Sequence, residues 1–459
     1  MAVKLAKASA AQKRAPGPPW YRIPESLSNI RNNPLKMLLG GMRDYGDLVR
    51  FQFGPIETYL LAHPDHVQRV FVDNNANYSR QTISYEKMMP ALGRGLLTTD
   101  GSFWLKQRRT VQPAFHRQKI AMFAGRMVQA TEAMLSRWQS YETTGETFDA
   151  AEEMMRLALH IAADTLLSAD VSRVARAVGD ALTVINKHVS DDTSCPIELP
   201  HCVPTPRNQQ FQKAIRTLDK IVYDIIDERR SGKNNADDLL SMLMHAKDPE
   251  TNEGMDDKQL RDELLTILLA GHETTANTLA WTWYLLSTQP TVAERLHDEL
   301  DQTLQGKTPG LEDLPKLAYT KMVLQESMRL YPPAWIISRA AVKDDVIGGY
   351  KIPKKATVFM SSYVTHRHPK FWKNPEGFDP GRFEEGKNQD RHRFAYFPFG
   401  GGGHLCIGKD FAMMEAPLLL AAIAQRYCLD LVPGHPVEPE PLITLRPRYG
   451  LKMTLRPRA

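Results

Sequence analysis

Apolar and polar positions repeat along this chain with two different periods, and the helical period covers most of it. Apolar spacings of three and four residues predict helices over six segments: residues 64–76, 102–140, 150–188, 207–231, 236–247 and 257–288. Strict alternation around a Gly-Pro pair predicts a β-hairpin at 45–63, and shorter strand patterns follow at 338–360 and 442–457. Four prolines mark 190–206 as a surface loop. We therefore expect a mainly α fold with small β-sheets.

The domain organisation follows from composition. No stretch within residues 20–459 has the composition of a linker, so we expect one large domain there. Residues 1–19 are basic, contain no acidic residue and end in a proline-rich stretch, which predicts a flexible N-terminal tail; a transit peptide is the alternative. No apolar run in this tail approaches the ~18 residues that a membrane span requires. We expect a cytoplasmic protein without a membrane span.

Charge and cysteine content exclude several classes of function. The chain has 58 basic and 53 acidic residues, and a net charge of +5 is too small and too dispersed to indicate nucleic-acid binding. The four cysteines have no C-x-x-C spacing and are too few for a secreted disulfide framework. A reducing compartment is therefore expected. We also expect a monomer.

The predicted helix from Asp257 to Ser287 contains polar groups where its pattern requires a core. It has no proline and is apolar on nearly every face, yet its centre holds Gly271, Glu273 and Thr274. A mid-helix glycine costs ~1 kcal/mol relative to alanine. A buried carboxylate costs more unless it is paired or protonated. Either this is a harmless polar kink, with the threonine hydroxyl bonding back to a carbonyl, or the helix centre carries chemistry.

A second group of charged residues lies downstream. Glu326 and Arg329 are three residues apart, on one face of a helix that Pro332 and Pro333 end. Alone, such a pair is a common surface feature. Arg382, in the segment FDPGRF, would complete a buried Arg-Glu-Arg network that fixes the chain ahead of the cysteine loop.

The segment FPFGGGGHLCIG surrounds Cys406 with glycines and ends at Gly408. A lone cysteine is most often a small buried apolar residue. This one, however, directly precedes an apolar-periodic helix, whose dipole and free N–H groups favour a thiolate. Glycines on both sides allow a flat group to approach the backbone closely. A heme iron held by a thiolate fits these features.

Taken together, these motifs resemble those of the cytochrome P450 superfamily. Phe399, Gly402, Cys406 and Gly408 match its F-x-x-G-x-R-x-C-x-G, with His404 in place of the usual arginine. The other four matches are AGHETT from Ala270 to A/G-G-x-D/E-T-T, Glu326 to Arg329 to E-x-x-R, FDPGRF to P-E-R-F, and Trp104 to Arg108 to W-x-x-x-R. Five motifs in the family's order, over residues ~45 to 455, imply a single heme domain with the cytochrome P450 fold and a long central helix.

The resemblance implies a role for each matching residue. Cys406 would be the thiolate ligand of heme b, iron-protoporphyrin IX. The partners of the heme propionates would be Trp104, Arg108, Arg339 and His404. His404 would pair less permanently than arginine, because its ring is largely neutral above a pKa of ~6.5. Glu273 and Thr274 would be the acid–alcohol pair that delivers protons to dioxygen.

The resemblance also implies the reaction, a monooxygenation that inserts one atom of O2 into the substrate. A separate ferredoxin or flavodoxin with its NAD(P)H-dependent reductase would supply the electrons. Docking charges would come from Arg117, Lys119, Lys373 and Lys409, unless these are ordinary surface charges. Two alternatives remain: a peroxide-dependent heme peroxygenase, which typically lacks the acid–alcohol pair, and a non-catalytic heme-binding sensor.

The positions that match the family's substrate pocket are nearly all apolar: Leu97, Ala270, Ala334, Ile336, Ile337 and Ile443. They imply a lipophilic substrate such as a fatty acid, terpenoid or steroid. The residues around AGHETT are most similar to the branch that contains fatty-acid hydroxylases, which favours a fatty acid.

Overall fold

A computed structural model describes residues 13–19, 21, 28–29, 31–53, 56–168, 171–194, 200–232, 238–387 and 389–458. The described helices are α1 (Pro34–Tyr45), α2 (Pro64–Gln68), α3 (Ile83–Leu92), α4 (Gly101–Val111), α5 (Arg117–Ile120), α6 (Ala124–Thr144), α7 (Ala150–Leu167), α8 (Val171–Ser194), α9 (Pro206–Arg230), α10 (Leu239–His245), α11 (Asp257–Ser287), α12 (Pro290–Leu304), α13 (Ala318–Leu330), α14 (Ser362–Thr365) and α15 (Lys409–Ala424). The predicted mainly α class is confirmed.

The strands form four small sheets in the described part of the chain. They are β1 (Leu48–Phe53), β2 (Ile56–Leu61), β3 (Tyr78–Ser79), β4 (Phe148–Asp149), β5 (Ile337–Ala341), β6 (Asp345–Ile347), β7 (Tyr350–Ile352), β8 (Thr357–Met360), β9 (Tyr427–Leu431), β10 (Pro439–Pro441), β11 (Leu445–Pro447) and β12 (Lys452–Pro457). Their orders are β1-β2-β8-β5-β3, β4-β12-β9, β6-β7 and β10-β11. The predicted hairpin is confirmed, because β1 and β2 pair antiparallel with Leu48 opposite Leu61.

Two long predicted helices are each broken in the structure. Helical periodicity predicted one helix over 102–140, but α4 ends at Val111. A 3-10 turn that contains Pro113 and the short helix α5 separate it from α6. The segment 150–188 is divided into α7 and α8, and Ser168 ends α7 with a left-handed φ of 41°. Apolar spacing alone does not reveal either break, because the helices on both sides of each break bury an apolar face.

The predicted loop over 190–206 begins later than expected. Helix α8 continues to Ser194, residues 195–199 lie outside the described residues, and α9 begins at Pro206. Proline at the first helical position favours a helix start, and Thr205 caps it by accepting a hydrogen bond from the Asn208 N–H. The prediction from proline content therefore placed the start of the loop too early in the sequence.

The central helix α11 belongs to two hydrophobic cores. Residues from Leu260 to Leu269 pack with α8, α9 and α10, whereas those from Ala276 to Leu286 pack with α6, α12, α13 and α15. The six residues between Leu269 and Ala276 belong to neither core. The polar centre of the helix therefore lies where the two cores separate.

Part of the predicted tail contacts two of the sheets, at β1 and at β7. Ala15 is buried, the Arg50 N–H donates to the Pro16 carbonyl at 2.7 Å, and Lys13 forms a β-bridge with Tyr350. Residues 1–12 lie outside the described residues, so the division at residue 19 stays a prediction. Among the described helices, none is both long and apolar enough to cross a membrane.

Candidate active site

A cavity of about 1290 Å³ lies beside the polar centre of α11 and the cysteine loop. The predicted residues that line it are Leu97, Trp104, Arg108, Ala270, Glu273, Thr274, Ala334, Ile336, Ile337, Arg339, Phe399, His404, Cys406, Gly408 and Ile443. Gly402 is outside this lining and shapes the loop instead, because its φ is +66° and a Cβ there would lie 1.9 Å from the Phe71 carbonyl oxygen. The fold thus brings residues from distant parts of the sequence to one cavity.

The Cys406 side chain lines this cavity and is otherwise surrounded by protein. Its backbone N–H donates to the Phe399 carbonyl at 3.0 Å, and α15 begins three residues later at Lys409. Burial is the largest influence on the thiol and raises its pKa, while the Gly408 N–H, Arg108 and Lys409 lower it. The helix terminus thus favours a thiolate, as expected, but burial opposes it with a larger effect. A metal ion at the sulfur would have to displace the proton.

On α11, Ala270 and Thr274 face the cavity one turn apart. The Thr274 hydroxyl donates to the Ala270 carbonyl at 2.7 Å. The helix is continuous through this turn, from Asp257 to Ser287. A Cβ at Gly271 would meet no atom within 4 Å, because this position faces open space. The helix centre is polar and uncrowded rather than broken.

Glu273 lies behind this turn in a buried hydrogen-bonded group. Asn186 of α8 donates its side-chain N–H to Glu273 Oε1 and accepts the Ile443 N–H at 3.3 Å. Burial raises the pKa of the Glu273 carboxyl, whereas Thr444, Arg446 and Asn186 lower it. The carboxyl therefore holds a proton more readily than one in water.

Three guanidinium groups surround the cavity and bond to neutral oxygens. Arg80 donates to Leu96 O at 2.5 Å, Arg108 to Leu405 O at 3.0 Å, and Arg339 to Tyr85 Oη at 3.0 Å. Within the described part of the chain, none of the three forms an ion pair with a carboxylate. Because buried charges normally have a charged partner, they are suited to a ligand that carries carboxylates.

The family follows from comparison with known proteins. A model of the cytochrome P450 family matches residues 15–454. The chain belongs to the cytochrome P450 family. It is 37% identical over 418 residues to cyclooctatin synthase from Streptomyces melanosporofaciens, covering 91% of this chain and 90% of that protein. It is 36% identical over 404 residues to cyclooctat-9-en-7-ol 5-monooxygenase from the same organism, covering 87% and 86%.

A solved structure agrees with this assignment. The crystal structure of the cytochrome P450DA heme domain has a TM-score of 0.89 against this chain, with 26% identity and 98% of both chains covered. The protein is a monooxygenase, and its cofactor is heme. The residues present fit heme. Cys406 lines the cavity, and the guanidinium groups of Arg80, Arg108 and Arg339 could pair with the propionate carboxylates.

His404, the departure from the family's arginine, has a partner within the protein. Its ring contacts that of Trp104, with centroids 4.0 Å apart and planes tilted by 38°, and its Nε2 lies 3.4 Å from Asp100 Oδ1. Burial lowers the pKa of His404, and Arg80 and Arg339 lower it further, while Asp100 raises it. A neutral ring is therefore favoured at pH 7, so its pairing with a heme propionate stays a prediction.

The cytochrome P450 also contains the predicted Arg-Glu-Arg network. Arg329 Nε and Nη2 donate to Glu326 Oε2 and Oε1 at 2.7 and 2.8 Å, and both side chains are fully buried. Arg382 Nε donates to Glu326 Oε1 at 3.1 Å, and the Asp379 N–H donates to the same oxygen at 2.9 Å. The network thus fastens α13 to the 3-10 turn Pro380–Phe383.

The sequence analysis missed Arg80 and Tyr85 at the cavity and Asp100 beside His404. Arg80 follows the two-residue strand β3, and its guanidinium lies 5.8 Å from the Trp104 ring centroid. None of the three residues belongs to a motif with recognisable spacing. The sequence carries no local signal for them, because contacts between separate segments bring each of them to the site.

Proposed function

We propose that this cytochrome P450 hydroxylates or epoxidises a lipophilic terpenoid, using electrons from a separate redox protein. The observation that carries the proposal is the cavity beside Cys406, whose lining includes all six apolar positions predicted for the substrate pocket. The two relatives are named for cyclooctatin and cyclooctat-9-en-7-ol. Their names favour a terpenoid over the fatty acid that the AGHETT segment suggested.

We assign binding roles to the residues around the cofactor. Heme supplies insertion of an oxygen atom from O2 when it is bound. Cys406 would hold it through sulfur, and Phe399, Gly402 and Gly408 would shape the loop around that atom. The propionate partners would be Trp104, Arg108, Arg339 and His404, as the resemblance implied, with Arg80 as an addition from the structure.

We assign proton delivery to Thr274 and Glu273. The Thr274 hydroxyl faces the cavity, and because its hydrogen is directed to Ala270 O, its oxygen is free to accept a hydrogen bond from a cavity group. Glu273, on the same helical turn, holds its proton more readily than an exposed carboxyl because it is buried. Glu273 and Thr274 would transfer protons from the buried region around Asn186 to the reacting oxygen in the cavity.

The redox partner would dock on the face where α5 meets α15. Arg117 Nε lies 2.9 Å from Asp410 Oδ2, so this arginine already has a charged partner. Lys119 and Lys409 are exposed on the same two helices, and Lys373 is exposed elsewhere on the chain. We propose Lys119 and Lys409 as docking charges for an acidic ferredoxin or flavodoxin. We also propose a cytoplasmic monomer, which size-exclusion chromatography and cell fractionation would test.

Substrate class is tested by titrating the holoenzyme with three sets of ligands matched in carbon number: terpenoid alkenes or alcohols, fatty acids and steroids. The shift of the heme absorption band measures binding. We expect terpenoids to saturate the shift at concentrations at least about tenfold lower than the others do, and Ile443→Trp, which fills the cavity, to weaken their binding. Tighter binding of fatty acids or steroids would contradict the terpenoid assignment.

A further inference from the structure

A second group of metal-ligating side chains lies outside the cavity lining, where α8 leads into α9. His188 and Asp192 are one turn apart on α8, and His201 precedes α9. His188 Nε2 is 3.3 Å and His201 Nε2 is 2.9 Å from the same atom, Asp192 Oδ2. We call these three residues the His-Asp-His cluster. Elsewhere in the described chain, no other such group of three has donor atoms within 4.8 Å of one another.

Most of the cluster is buried, and the ring of His188 has no hydrogen bond among the described residues. The side chains of His188 and Asp192 are 3% exposed, and that of His201 is 22% exposed. Both ring nitrogens of His188 lack a hydrogen-bond partner among the described residues. Buried polar atoms are nearly always paired, so an unpaired one needs an explanation. The His188 ring is also fixed in place, because it stacks on Phe211 with centroids 4.0 Å and planes 4° apart.

The spacing of the donor atoms suits a transition-metal ion. With metal–ligand bonds of about 2.0–2.1 Å, the ligand atoms of a tetrahedral zinc site are about 3.3 Å apart. The separations of the two histidine nitrogens from Asp192 Oδ2 are 3.3 and 2.9 Å, the shorter being a hydrogen bond from His201, and all three ligand atoms lie within 4.8 Å of one another. Two imidazoles and one carboxylate are a ligand set for zinc, with water in the fourth position.

Arg207 supports the carboxylate without blocking it. It donates to Asp192 Oδ1 and, at 3.0 Å, to the His188 carbonyl, which leaves Oδ2 directed at the two histidines. Carboxylates that bind a metal are commonly held by such outer hydrogen bonds. We propose that the His-Asp-His cluster binds one zinc ion, or a similar divalent transition metal, and fastens the end of α8 to the start of α9.

The position of the cluster connects it to the cavity through α8. The same helix carries Asn186, which bonds Glu273, and also Ser190 and Thr193, which line the cavity. A metal that fixes the end of α8 would stabilise the folded state and hold this part of the cavity wall. This inference is independent of the substrate and of the redox partner.

The test uses tag-free holoenzyme that has been dialysed against a chelator and then titrated with Zn²⁺ in a calorimeter. We expect one tight site per chain, with metal content confirmed by elemental analysis. His201→Ala and His188→Ala should each weaken Zn²⁺ binding at least about tenfold, because each removes one of three protein ligands. His160→Ala, at an exposed histidine of α7, is the matched control and should bind Zn²⁺ as the parent does.

A second measurement separates binding from damage to the fold. Zn²⁺ should raise the unfolding temperature of the parent and of His160→Ala but not of His201→Ala, a residue exposed enough to be replaced without disrupting the core. The carbon monoxide spectrum of the reduced protein checks that each variant holds heme. Absence of a tight site in the parent, or equal affinity in His201→Ala, would show that the cluster is only a hydrogen-bonded network.

Discussion

At the scale of single residues, two threonines of α11 make the same backbone hydrogen bond in different surroundings. Thr274 Oγ1 donates to Ala270 O at the cavity, and Thr282 Oγ1 donates to Thr278 O inside the core, each at 2.7 Å. Loss of the bond itself should have a similar effect at both positions. Any difference in turnover between the two alanine variants therefore reports what the cavity hydroxyl does.

We predict that Thr274→Ala separates electron consumption from product formation. Heme content and substrate affinity should stay near the parent values, because this hydroxyl holds neither. Product per NAD(P)H consumed should fall, and hydrogen peroxide should rise, because a proton donor contributes on the order of 10²–10⁴-fold to such a step. Measuring product and peroxide per NAD(P)H consumed checks this.

Thr282→Ala is the control for that experiment and should lower stability while coupling stays intact. If Thr274→Ala behaves like Thr282→Ala, with coupling unchanged, then Thr274 is only structural and the proton-delivery assignment fails.

At the scale of elements, a buried ion-pair network fastens α13 to the turn that contains Arg382. We predict that Arg329→Ala lowers the free energy of unfolding by about 3–5 kcal/mol, because it leaves the Glu326 carboxylate buried without its main partner. Arg456→Ala removes an exposed pair with Asp430 and should cost no more than about 1 kcal/mol. Urea unfolding followed by circular dichroism measures both, and similar costs would show that the network contributes little.

A second link between elements joins the central helix to the helix after the cysteine loop. The Thr275 hydroxyl of α11 donates to Glu415 Oε2 of α15 at 3.0 Å, and both residues are buried. Burial raises the pKa of Glu415 to about 8. In the unfolded chain the same carboxyl titrates near a pKa of ~4.3. Between these values the folded protein keeps a proton that the unfolded chain releases, so stability falls as pH rises.

We therefore predict that Glu415→Gln gains stability relative to the parent as pH rises from 5 to 8. The difference should grow by at most about 1.4 kcal/mol per pH unit, since the amide cannot ionise, and should level off above pH 8. Urea unfolding of both proteins at pH 5, 6, 7 and 8 measures it. A difference that does not change with pH would mean that Glu415 is ionised in the folded protein.

At the scale of the whole molecule, a net charge of +5 gives only a weak overall field, so docking depends on local charges. We predict that Lys119→Glu combined with Lys409→Glu slows electron delivery from an acidic ferredoxin at low salt. The loss should shrink as salt rises, because screening weakens interactions between exposed charges. Stopped-flow reduction at several ionic strengths measures this.

Lys213→Glu, on the exposed side of α9, is the matched control for the docking prediction and should leave the rate near that of the parent. An equal loss in this control would mean that total charge matters and that the α5–α15 face has no special role.

The features that were predictable from sequence depend on short separations along the chain. The bounds of α11 followed from uninterrupted helical periodicity, and the hairpin followed from alternation about one turn. Cys406 was recognisable because the glycines and the helix start that position it are its neighbours in sequence. Glu326 and Arg329 share one helical turn, so their pairing follows from helix geometry alone.

The remaining features required the tertiary structure, because they join residues that no local pattern relates. Glu415 meets Thr275 across two helices, and Arg80 reaches the cavity from a two-residue strand. The raised pKa of Cys406 also depends on burial by distant segments, which outweighs the helix terminus beside it. Local spacing specifies which groups lie on one face of an element. Desolvation and long-range contacts depend on how the elements pack, and no short stretch of sequence contains that information.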